Sequence, residues 1–464
     1  MTDDSPRPTP APLVGVVVVN YHSPELTIGC LERLRAATSS WPADRLRVVV
    51  VDNGSGPGFA SDLATRAPWA LRIEAGANLG FGGACNLGIA ALAECEHIVL
   101  LNNDATPEPG WLEPLVEAIE ADPRVGAATP KVLLEGRFLR LTIDAPTTRR
   151  RGADPRDLGV QLCGARVGGI DVSAGVELVG GFWGWEVDAT TIGGAFAWTG
   201  NGGSDAMALV PVPDGVGGDA RLEIRLASAL QPVVAKLGLG VGGVAVAVTA
   251  GEQPAWFDVG PAAPAYDVVN NTGTVLLADG ASADRGYLEV DDGRYDSPGD
   301  VFGWSGTAVL LSRRYLDDAG PFDERFFLYY EDVDLSWRGR LLGWTYRYVP
   351  ASVVRHAHSA TTGGSRSALV RHLADRNRLL TLTKNAPAGL AAAAVAGLVA
   401  DLGRAAGRDV VARLATGRRP VTHHAVASAR VLAAFLTRAP TALADRRRLR
   451  RRAVVSDRQL FTNG

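Results

Sequence analysis

The stretch VVVVNYHSPELTIGCLERL, residues 16–34, changes within a few positions from the pattern of a buried strand to that of a helix. Its opening valines form a continuous apolar run, which is typical of a strand buried on both faces of a parallel sheet. Ser23 then occupies an N-cap position and Pro24 the first helical turn, and apolar residues follow at helical spacing. A buried strand that leads directly into such a helix predicts the first unit of an α/β fold.

The same alternation of strand and helix continues through the first part of the chain. Strands are predicted at 13–20, 47–55, 71–74, 97–104 and 125–134, and helices at 23–37, 84–95 and 108–122. Polar residues follow the strands, namely Asn20, Asp52 and residues 102–104. Because ligands of open α/β sheets bind beyond the carboxyl ends of the strands, this edge is the expected binding site.

The middle of the chain has a different pattern. Between about 134 and 264, helical periodicity stops, and short alternating runs such as RLEIRLASA (221–229) are punctuated by Gly, Pro, Asp and Asn. This pattern predicts a β-sandwich that interrupts the α/β domain. The predicted organisation is a disordered N-terminus at 1–12, a first α/β half at 13–134, the inserted β-sandwich at 135–265, a second α/β half at 266–387 and a basic helical tail at 388–464.

The net charge of −3 at neutral pH conceals a strong asymmetry. Residues 386–464 contain 14 arginines and 4 aspartates but no lysine or glutamate, so this segment carries +10 and the rest of the chain −13. A basic tail on an acidic body predicts contact with an anionic surface, for which membrane phospholipid, nucleic acid and plain solvent are candidates. Because the tail has a single aromatic, Phe435, before Phe461 and no recognition motif, we do not expect nucleic acid as a partner.

Cysteine usage and the N-terminus predict a cytoplasmic protein. The 4 cysteines show no metal-ligand spacing and are interpreted as reduced packing residues. The start, MTDDSPRPTPAP, lacks the basic region and apolar core of a signal peptide, and the apolar segment 386–400 is too short and too rich in alanine to predict a transmembrane helix. With the basic tail, we expect peripheral binding at the inner face of the cell membrane.

Acidic residues are concentrated in the run FFLYYEDVDLSWRGRLLGW, residues 326–344. Glu331, Asp332 and Asp334 occur together at the start of a predicted helix. A charged helix N-terminus explains such a cluster without any chemistry. Asp334 and Arg338 have the spacing of a helical ion pair, which predicts a mainly structural role for Asp334.

A series of stretches resembles, in the same order, the motifs of glycosyltransferase family 2: VVVVNYHSPELTIGCLERL, VVVVDNGS, ANLGFGGACNLGIA, IVLLNNDATPEPGWLEPLV, FDERFFLYYEDVDLSWR and YVPASVVRHAHSATTG. Within that family, these motifs most resemble those of the bacterial rhamnosyltransferase-like branch. The resemblance covers about 13–134 and 266–387. It implies the GT-A fold, in which a nucleotide-binding α/β domain is continuous with an acceptor-binding half.

The resemblance assigns several residues to the donor nucleotide. Asp52 matches the acid that contacts the base, and a carboxylate can indeed accept the imide N–H of uracil or thymine; the alternative is that it only orders the turn after its strand. Asn20 and Tyr21 would line the same pocket. In the glycine-rich loop and after the fourth strand, the residues carried over are Asn78, Gly82, Asn86, Asn102 and Asn103.

The resemblance also implies a divalent cation, Mg²⁺ or Mn²⁺, that is held partly by the donor diphosphate. Asp104 is the implied metal ligand. His356 fits the position of a histidine near the metal, and His358 is the second candidate. An isolated Asp after a strand is more commonly a turn or N-cap residue, which is the alternative for Asp104.

On the acceptor side, the resemblance implies that Asp332 is the catalytic base of an inverting transfer. Glu331 and Asp334 are the neighbouring candidates for acceptor binding. Trp304, in GWSG, is placed where the family has an acceptor-side loop and would stack on a sugar ring, unless it is a core residue.

The insertion departs from the family pattern, in which this connection is much shorter. FWGWE (182–186), FAWTG (196–200) and DPRDLGVQL (154–162) resemble parts of jelly-roll modules attached to other bacterial cell-surface glycosyltransferases, here in a permuted order. Exposed aromatics on such a module would hold glycan, whereas core packing of the tryptophans needs no ligand.

These features predict an inverting, metal-dependent glycosyltransferase with dTDP-rhamnose as the candidate donor. Its acceptor would be a cell-wall glycan or a glycan linked to polyprenyl diphosphate. A galactofuranosyl or other hexosyl transferase that uses a UDP-sugar is the alternative within the same class. A catalytically inactive glycan-binding protein that uses the β-sandwich is the alternative from a different class.

Overall fold

The computed structural model describes residues 11–55, 58–149, 156–188, 194–217, 219–228, 232–240, 246–251, 253–262, 264–357, 368–415, 417, 419 and 421–462. The chain divides into two compact units. The first consists of Met1–Leu133, Asn271–Gly286 and Gly293–Gly464, and the second of Leu134–Asn270 and Tyr287–Asp292. The second unit is therefore an insertion in the sequence of the first.

Strands and helices alternate at the start of the first unit. The strands are β1 (Val14–Asn20), β2 (Leu46–Asp52), β3 (Leu71–Glu74), β4 (His97–Asn102), β5 (Ala105–Pro107) and β6 (Val125–Leu134). The helices are α1 (Pro24–Ala37), α2 (Gly58–Arg66), α3 (Gly80–Ala91) and α4 (Leu112–Glu120). Helix α3 begins earlier than the predicted residue 84, because Asn53 and Asn78 hydrogen-bond the amides of residues 79 and 80 and so cap an earlier start.

The second unit is rich in short strands. They are β7 (Arg137–Asp144), β8 (Thr148–Arg149), β9 (Asp157–Leu158), β10 (Gln161–Val167), β11 (Ile170–Asp171), β12 (Glu177–Gly180), β13 (Phe182–Asp188), β14 (Gly194–Thr199), β15 (Asp205–Val212), β16 (Arg221–Ala227), β17 (Val233–Leu239), β18 (Val246–Ala250) and β19 (Ala255–Pro261). Antiparallel sheets in the orders β13–β14–β10–β16–β19 and β12–β15–β7–β17–β18 share one apolar core. In β16, alternate residues Leu222, Ile224 and Leu226 are buried in this core, as the period of a strand requires.

The remaining elements follow the insertion in sequence. The strands are β20 (Val269–Asn271), β21 (Thr274–Leu276), β22 (Ser282–Asp284), β23 (Gly299–Asp300), β24 (Ala308–Ser312) and β25 (Thr345–His356). The helices are α5 (Arg313–Ala319), α6 (Glu331–Leu341), α7 (Ala368–Asn385), α8 (Ala388–Ala405), α9 (Ala412–Ala415), α10 (His423–Leu436), α11 (Ala439–Arg452) and α12 (Asp457–Thr462), with a π-helical segment at Ala406–Val411.

The central sheet of the first unit has the strand order β23–β25–β6–β24–β4–β1–β2–β3. Strand β1 is parallel to β2 and β4, and its register aligns Asn20 with Asp52 and Val19 with Asn102. The polar strand ends therefore meet at one edge, whereas β24 runs antiparallel to β4 and β6. This mixed sheet, the sheet-rich insertion and the helical C-terminal region confirm the expected α/β, GT-A-type fold class.

Apolar packing fixes the position of both the first strand and the C-terminal helices. Val16 and Val18 of β1 are fully buried in a cluster that includes Ile28 of α1. Each such side chain contributes about 1.5–3 kcal/mol relative to exposure. In the C-terminal region, Phe326 packs in a cluster with Leu379 of α7 and with residues of α10 and α11. The helices thus support the segment that leads into α6.

Candidate active site

The carboxyl ends of β1 and β2 form a polar edge. The side-chain oxygen of Asn20 accepts a hydrogen bond from Thr27 Oγ1 at 2.7 Å, and its amide donates to Ser55 Oγ at 2.9 Å. Asp52 accepts hydrogen bonds from the Ser55 N–H at 3.0 Å and from Arg72 Nη2 at 3.1 Å. Because these buried polar groups already have partners, the edge is held rigid without a ligand.

Tyr21, Asn102 and Asn103 lie near this edge but differ in accessibility. The Tyr21 side chain is exposed, with its ring centroid 4.5 Å from that of His22. The Asn103 amide is buried and donates to Thr27 Oγ1 at 3.0 Å, so it joins the hydrogen-bond network of the first strand. Asn102 is partly buried, so Tyr21 is the most exposed of the three residues.

The glycine-rich loop is braced by a residue that the sequence motifs did not single out. Asn53, directly after Asp52, accepts a hydrogen bond from the Leu79 N–H at 2.8 Å and donates to Asn78 Oδ1 at 3.1 Å. The Asn78 oxygen also accepts from the Gly80 N–H at 2.9 Å. Asn78 thus shapes the loop from within. The polar run DNGS was the sequence signal for Asn53.

Gly82 and Asn86 pack against the segment that leads to α6. A Cβ on Gly82 would lie 3.1 Å from Phe322 Cβ and 3.6 Å from Glu331 Cβ, so close helix packing explains this glycine. The Asn86 amide donates to the Phe322 carbonyl at 3.0 Å, and its oxygen accepts from the Phe322 N–H at 2.9 Å. Both positions therefore have a packing role within the first unit, in addition to the predicted contact with phosphate.

The structure brings Asp104 and His356 together. His356 Nε2 lies 3.1 Å from Asp104 Oδ1, and both side chains are largely buried. Strand pairing sets this distance, because β25 aligns His356 with Ala105 of β5. His358 lies outside the described residues.

The Asp104 carboxylate and the His356 imidazole are suitable ligands for a divalent cation, but two protein ligands cannot complete its coordination. Among the described residues, no group of three or more His, Cys, Asp or Glu side chains could hold a metal ion. Asp104 and His356 therefore fit Mg²⁺ or Mn²⁺ only where further ligands, such as diphosphate oxygens, are supplied with the substrate.

Asp104 and Asp332 belong to segments that are joined by backbone hydrogen bonds. The Asn102 N–H, at the end of β4, donates to the Thr307 carbonyl at 2.8 Å. The adjacent Gly306 N–H donates to Asp332 Oδ2 at 3.1 Å. The residues that follow β4 and the first turn of α6 therefore meet at the loop before β24.

The backbone is strained immediately before α6. Phe327, Tyr329 and Tyr330 have φ angles of 66°, 69° and 70°, a region that residues other than glycine seldom adopt. The Asn377 amide of α7 holds this segment, since it donates to three carbonyl groups within 326–329 at 2.7–2.9 Å. Strain of this kind persists only where surrounding contacts enforce it, and it is frequent at functional sites.

Glu331 and Asp332 are adjacent but have different partners. Asp332 accepts hydrogen bonds from the Gly306 N–H at 3.1 Å and from the Val333 N–H at 2.8 Å. Glu331 is buried, and in the described part of the chain its Oε2 atom has no hydrogen-bond partner. Its burial leaves Glu331 unable to reach an acceptor directly.

These surroundings separate the two acids electrostatically. Burial raises the pKa of Glu331 to about 8, and the charge of Asp332 adds to the rise. Burial also raises the pKa of Asp332, but its backbone hydrogen bonds with Gly306 and Val333 oppose the change. Glu331, with its pKa raised to about 8, is therefore mostly protonated near neutral pH, whereas the Asp332 carboxylate is the one that backbone N–H groups stabilise.

Asp334 is enclosed by cations. Its Oδ2 atom lies 3.0 Å from Arg338 Nε and 2.8 Å from Lys384 Nζ, and its Oδ1 atom accepts from Asn385 Nδ2 at 2.9 Å. The helical ion pair with Arg338 is thus present, and Asp334 links α6 to α7. A fully buried carboxylate with these partners supports the structural interpretation rather than acceptor binding.

Trp304 is also enclosed. Its side chain is fully buried and packs edge-on against Phe322, with 6.1 Å between ring centroids. Stacking on a sugar requires an exposed ring face. The position of Trp304 therefore fits the core interpretation.

Asp284, which no motif indicated, lies close to the same acids. The side chain is solvent-exposed on β22, and its Oδ1 atom accepts a hydrogen bond from Asn271. Although the residue is exposed, partial desolvation of its carboxyl group raises the pKa of Asp284 to about 6, and the charge of Asp332 adds to the rise, while Asn271 and His356 act in the opposite direction. Electrostatic contact with both Asp332 and His356 places Asp284 at the candidate site.

Comparison with known sequences identifies the domain. Residues 15–170 match the family model for glycosyl transferase family 2. The chain contains a glycosyltransferase family 2 domain. This match begins in β1 and includes the polar strand ends, the glycine-rich loop and Asp104 described above, so that edge of the sheet belongs to the family 2 domain.

The sequence is also similar to part of an N-acetylglucosaminyl-diphospho-decaprenol L-rhamnosyltransferase from Mycobacterium tuberculosis, in the strains CDC 1551 / Oshkosh and ATCC 25618 / H37Rv. The identity is 45% over 62 residues, which covers 13% of this chain. The aligned segment spans 20% of the length of these relatives. The resemblance to the rhamnosyltransferase branch of family 2 is therefore supported over this segment.

Solved glycosyltransferase structures are similar at lower levels. GalNAc-T7 with UDP, GalNAc and Mn²⁺ has 10% identity and a TM-score of 0.41, over 80% of this chain and 48% of the other. The mannosyltransferase PcManGT from Pyrobaculum calidifontis, with GDP-Man and Mn²⁺, has 16% identity and a TM-score of 0.36, over 94% and 90%. S. aureus TarS with UDP-GlcNAc has 21% identity and a TM-score of 0.23, over 30% and 36%. The sheet topology and the family 2 match, rather than these scores, carry the fold assignment.

Proposed function

We propose that this protein is an inverting glycosyltransferase that moves a sugar from a nucleotide-diphosphate donor to a glycan acceptor. The observation that carries the proposal is the Asp332 carboxylate, which two backbone N–H groups orient at the start of α6. It lies in a segment that hydrogen bonds join to the end of β4, which leads to the Asp104–His356 pair. A base and a diphosphate-binding edge are the two parts that this reaction needs.

In the proposed reaction, Asp332 takes the proton from the acceptor hydroxyl as that oxygen attacks the anomeric carbon. The new C–O bond forms on the face opposite the donor diphosphate. The bond to the diphosphate oxygen breaks with its electron pair, so the anomeric configuration is inverted. Below its pKa of about 8, Glu331 beside the base is mostly protonated and so is not the group that accepts the proton.

The donor is assigned to the edge formed by β1, β2 and the glycine-rich loop. Asp52 would accept the imide N–H of uracil or thymine, and Asn20 and Tyr21 would line the same pocket. Asp104 and His356 would hold Mg²⁺ or Mn²⁺, which when bound neutralises charge that develops on the leaving diphosphate. The segment similar to a rhamnosyltransferase supports dTDP-rhamnose as the candidate donor, and a UDP-hexose is the alternative.

The name of the similar enzyme supports an acceptor carried on a polyprenyl diphosphate, and therefore activity at a membrane. One helical stretch of the described chain, Ala388–Ala415, is long and apolar enough to cross a bilayer, and little of it is buried. The sequence stretch 386–400 alone was too short for this, but the helical segment continues past residue 400. We assign membrane contact to this exposed apolar helix.

The arginine run of α11 contributes less to the proposed membrane contact than its sequence suggests. Arg446 donates to the carbonyls of Thr383 and Ala386, and Arg450 donates to those of Asn385 and Ala386. These arginines cap the C-terminal end of α7, where carbonyl groups need donors. They are therefore structural, and the anionic membrane surface is left to the exposed arginines of the tail.

Point substitutions test membrane contact better than removal of the tail, because loss of α11 would also uncap α7. The double variant Val399→Ser, Leu414→Ser replaces exposed apolar residues of the helical segment, and Leu71→Ser, Val234→Ser replaces equally exposed ones elsewhere. We expect the first to weaken co-sedimentation with anionic phospholipid vesicles and the second to leave it unchanged. Equal sedimentation of both variants would contradict the assignment.

A panel of sugar nucleotides tests the transferase itself. Nucleotide release from dTDP-rhamnose, UDP-galactofuranose and UDP-hexoses is measured with a membrane extract as acceptor, with and without EDTA, and the anomeric configuration of the product is determined by NMR. We expect acceptor-dependent release from one donor, loss of release with EDTA, and inversion. If no nucleotide binds in the presence of Mg²⁺ or Mn²⁺, the proposal fails and a glycan-binding role of the β-sandwich becomes the better explanation.

A further inference from the structure

We propose that Asp284 forms an acceptor subsite beside the catalytic base and that it binds hydroxyl groups of a neutral sugar ring. The inference rests on the proposed transferase function and extends it to the acceptor. Asp284 lies outside the residues that the family resemblance assigned. It is carried by a hairpin, β21–β22, whose placement can be followed through its hydrogen bonds.

Strand pairing places the hairpin next to the base. Asp284 is the cross-strand neighbour of Thr274 in the hairpin, and Thr274 pairs on its other side with Gly303. Adjacent strands are about 4.8 Å apart, so Asp284 lies two such steps from the Gly303 backbone. Gly303 packs on Ser336, where a Cβ on the glycine would lie 3.0 Å from Ser336 Cβ. Ser336 is one helical turn after Asp332 on the same face of α6.

Neighbouring side chains fix the orientation of Asp284. The buried Asn271 amide donates to its Oδ1 atom, and Asn271 Oδ1 in turn accepts from the Gly273 N–H at 2.7 Å. The next residue, Arg285, stacks over Tyr295 and Tyr348 at 5.0 and 5.4 Å from the ring centroids. The Oδ2 atom of Asp284 accepts no hydrogen bond from any described residue, and the residue is exposed, so a ligand hydroxyl is the partner that we assign to this oxygen.

The surrounding charges select the class of ligand. Asp284 and Asp332 repel each other, as the influence of Asp332 on Asp284 shows. A stabilising ligand must therefore donate hydrogen bonds and carry no negative charge. Adjacent hydroxyl groups of a sugar meet this requirement, because one hydroxyl can donate to Asp284 while its neighbour loses a proton to Asp332. A uronic acid or a phosphorylated ring at this position would be repelled.

A structural or metal-ligand role explains Asp284 less well. A structural aspartate such as Asp334 is enclosed by cations, whereas Asp284 is solvent-exposed and hydrogen-bonded by one amide. In the ranges that the structure describes, Asp284 does not complete a metal cluster with Asp104 and His356. Acceptor recognition accounts for both its exposure and its fixed orientation.

Asp284→Asn is the test, with Asp279→Asn as the matched control. Asp279 lies in the turn of the same hairpin and pairs with Arg378 at 2.9 Å. With the donor identified by the panel, we expect Asp284→Asn to raise the acceptor KM at least tenfold while the dissociation constant for donor nucleotide stays within twofold. Asp279→Asn should change neither value. An unchanged acceptor KM, or a loss of donor binding, in Asp284→Asn would overturn the proposal.

An acceptor analogue that lacks the hydroxyl next to the reacting one sharpens this test. The wild-type protein and Asp284→Asn should have equal KM values for the deoxy analogue, because the contact is absent from both; a tenfold difference that persists would contradict the subsite. Saturation-transfer NMR of the glycan acceptor, with nucleotide diphosphate present, needs no turnover. Asp284-dependent glycan binding without transfer from any donor would overturn the proposed function and leave the subsite standing. Transfer that is equally efficient in the wild-type protein and in Asp284→Asn would overturn the subsite and leave the proposed transferase function standing.

Discussion

The proposed donor edge and the proposed catalytic edge of the first unit differ in how their acidic side chains are paired. At the donor edge, Asp52 is buried with Arg72 and the Ser55 N–H as partners. At the catalytic edge, Glu331 is buried with one carboxyl oxygen unpaired, and the Asp284 pKa is raised to about 6. Paired acids hold the first edge in shape. At the second edge, burial of Glu331 and partial desolvation of Asp284 raise the pKa values of both carboxyl groups.

This difference explains how two acids that are neighbours in sequence acquire separate roles. Asp332 and Asp334 accept hydrogen bonds from neighbouring groups, whereas the buried Oε2 atom of Glu331 has no hydrogen-bond partner among the described residues. The acid that accepts backbone hydrogen bonds, Asp332, is therefore the one that faces the loop before β24. Perturbed carboxyl groups gathered in this way are typical of a functional site.

The largest expected effect is on catalysis. Asp332→Asn removes the proposed base but keeps the shape of the side chain, so transfer should fall by about 10²–10⁴-fold, the usual contribution of a general base. The measurement is the rate of nucleotide release with acceptor present. Donor affinity and melting temperature should stay close to those of the wild-type protein. Full transfer activity in this variant would mean that another group accepts the proton.

The next effect is on stability and separates Asp334 from Asp332. Asp334→Ala removes the buried carboxylate of Arg338 and leaves Lys384 with Asp323 alone, and the free energy of unfolding should fall by about 3–5 kcal/mol. Urea unfolding measures the change. The exposed pair Asp401–Arg404 supplies the control, since Asp401→Ala should cost no more than about 1 kcal/mol. Similar losses in both variants would contradict the assignment of a buried network.

Glu331→Gln tests how the buried Glu331 carboxyl group changes the free energy of unfolding with pH. With a folded pKa of about 8, well above that of an unfolded glutamate, the native wild-type protein binds an additional proton, so its stability falls as pH rises from about 4.5 to 8. One such proton corresponds to a slope of about 1.4 kcal/mol per pH unit. The glutamine variant cannot ionise and should lose much of this slope. Unfolding midpoints at pH 5.5 and 8 provide the measurement; parallel pH profiles would show that Glu331 is already ionised.

The smallest expected effect is at the donor edge. Asp52→Asn retains the hydrogen bond from Ser55 but weakens acceptance of a base N–H, so the donor dissociation constant should rise by about tenfold, on the order of 1.4 kcal/mol. Glu74→Gln is the matched control, because Glu74 also contacts Arg72 but is exposed. Isothermal titration with the donor nucleotide compares them. Equal affinities would remove Asp52 from the pocket.

The sequence predicted the donor edge more completely than the acceptor edge. Asn20 and Asp52 end apolar runs, and a parallel register necessarily brings such ends together. Asp284 carries no comparable signal, because its neighbour Asp332 is 48 positions away and the two meet only through a hairpin and a loop. Asn377, which holds the strained segment, is likewise an ordinary polar residue in a helix until the structure shows its acceptors.

Some predicted roles depended on the direction of a side chain, which local sequence does not specify. Trp304 in GWSG is compatible with a stacking platform or with a core residue, and only packing against Phe322 distinguishes them. Gly82 lies in a glycine-rich loop by sequence but in the first turn of α3 in the structure, against Phe322 and Glu331.

Taken by itself, the amino-acid sequence determined the α/β class, the existence of an insertion, the basic helical tail and the acids at strand ends, because periodicity and local turn chemistry act over a few residues. The tertiary structure decided which acids are paired, which remain unpaired and which arginines are available to a membrane. Those properties depend on water exclusion and on partners many positions away, so they come into existence only when the chain is folded.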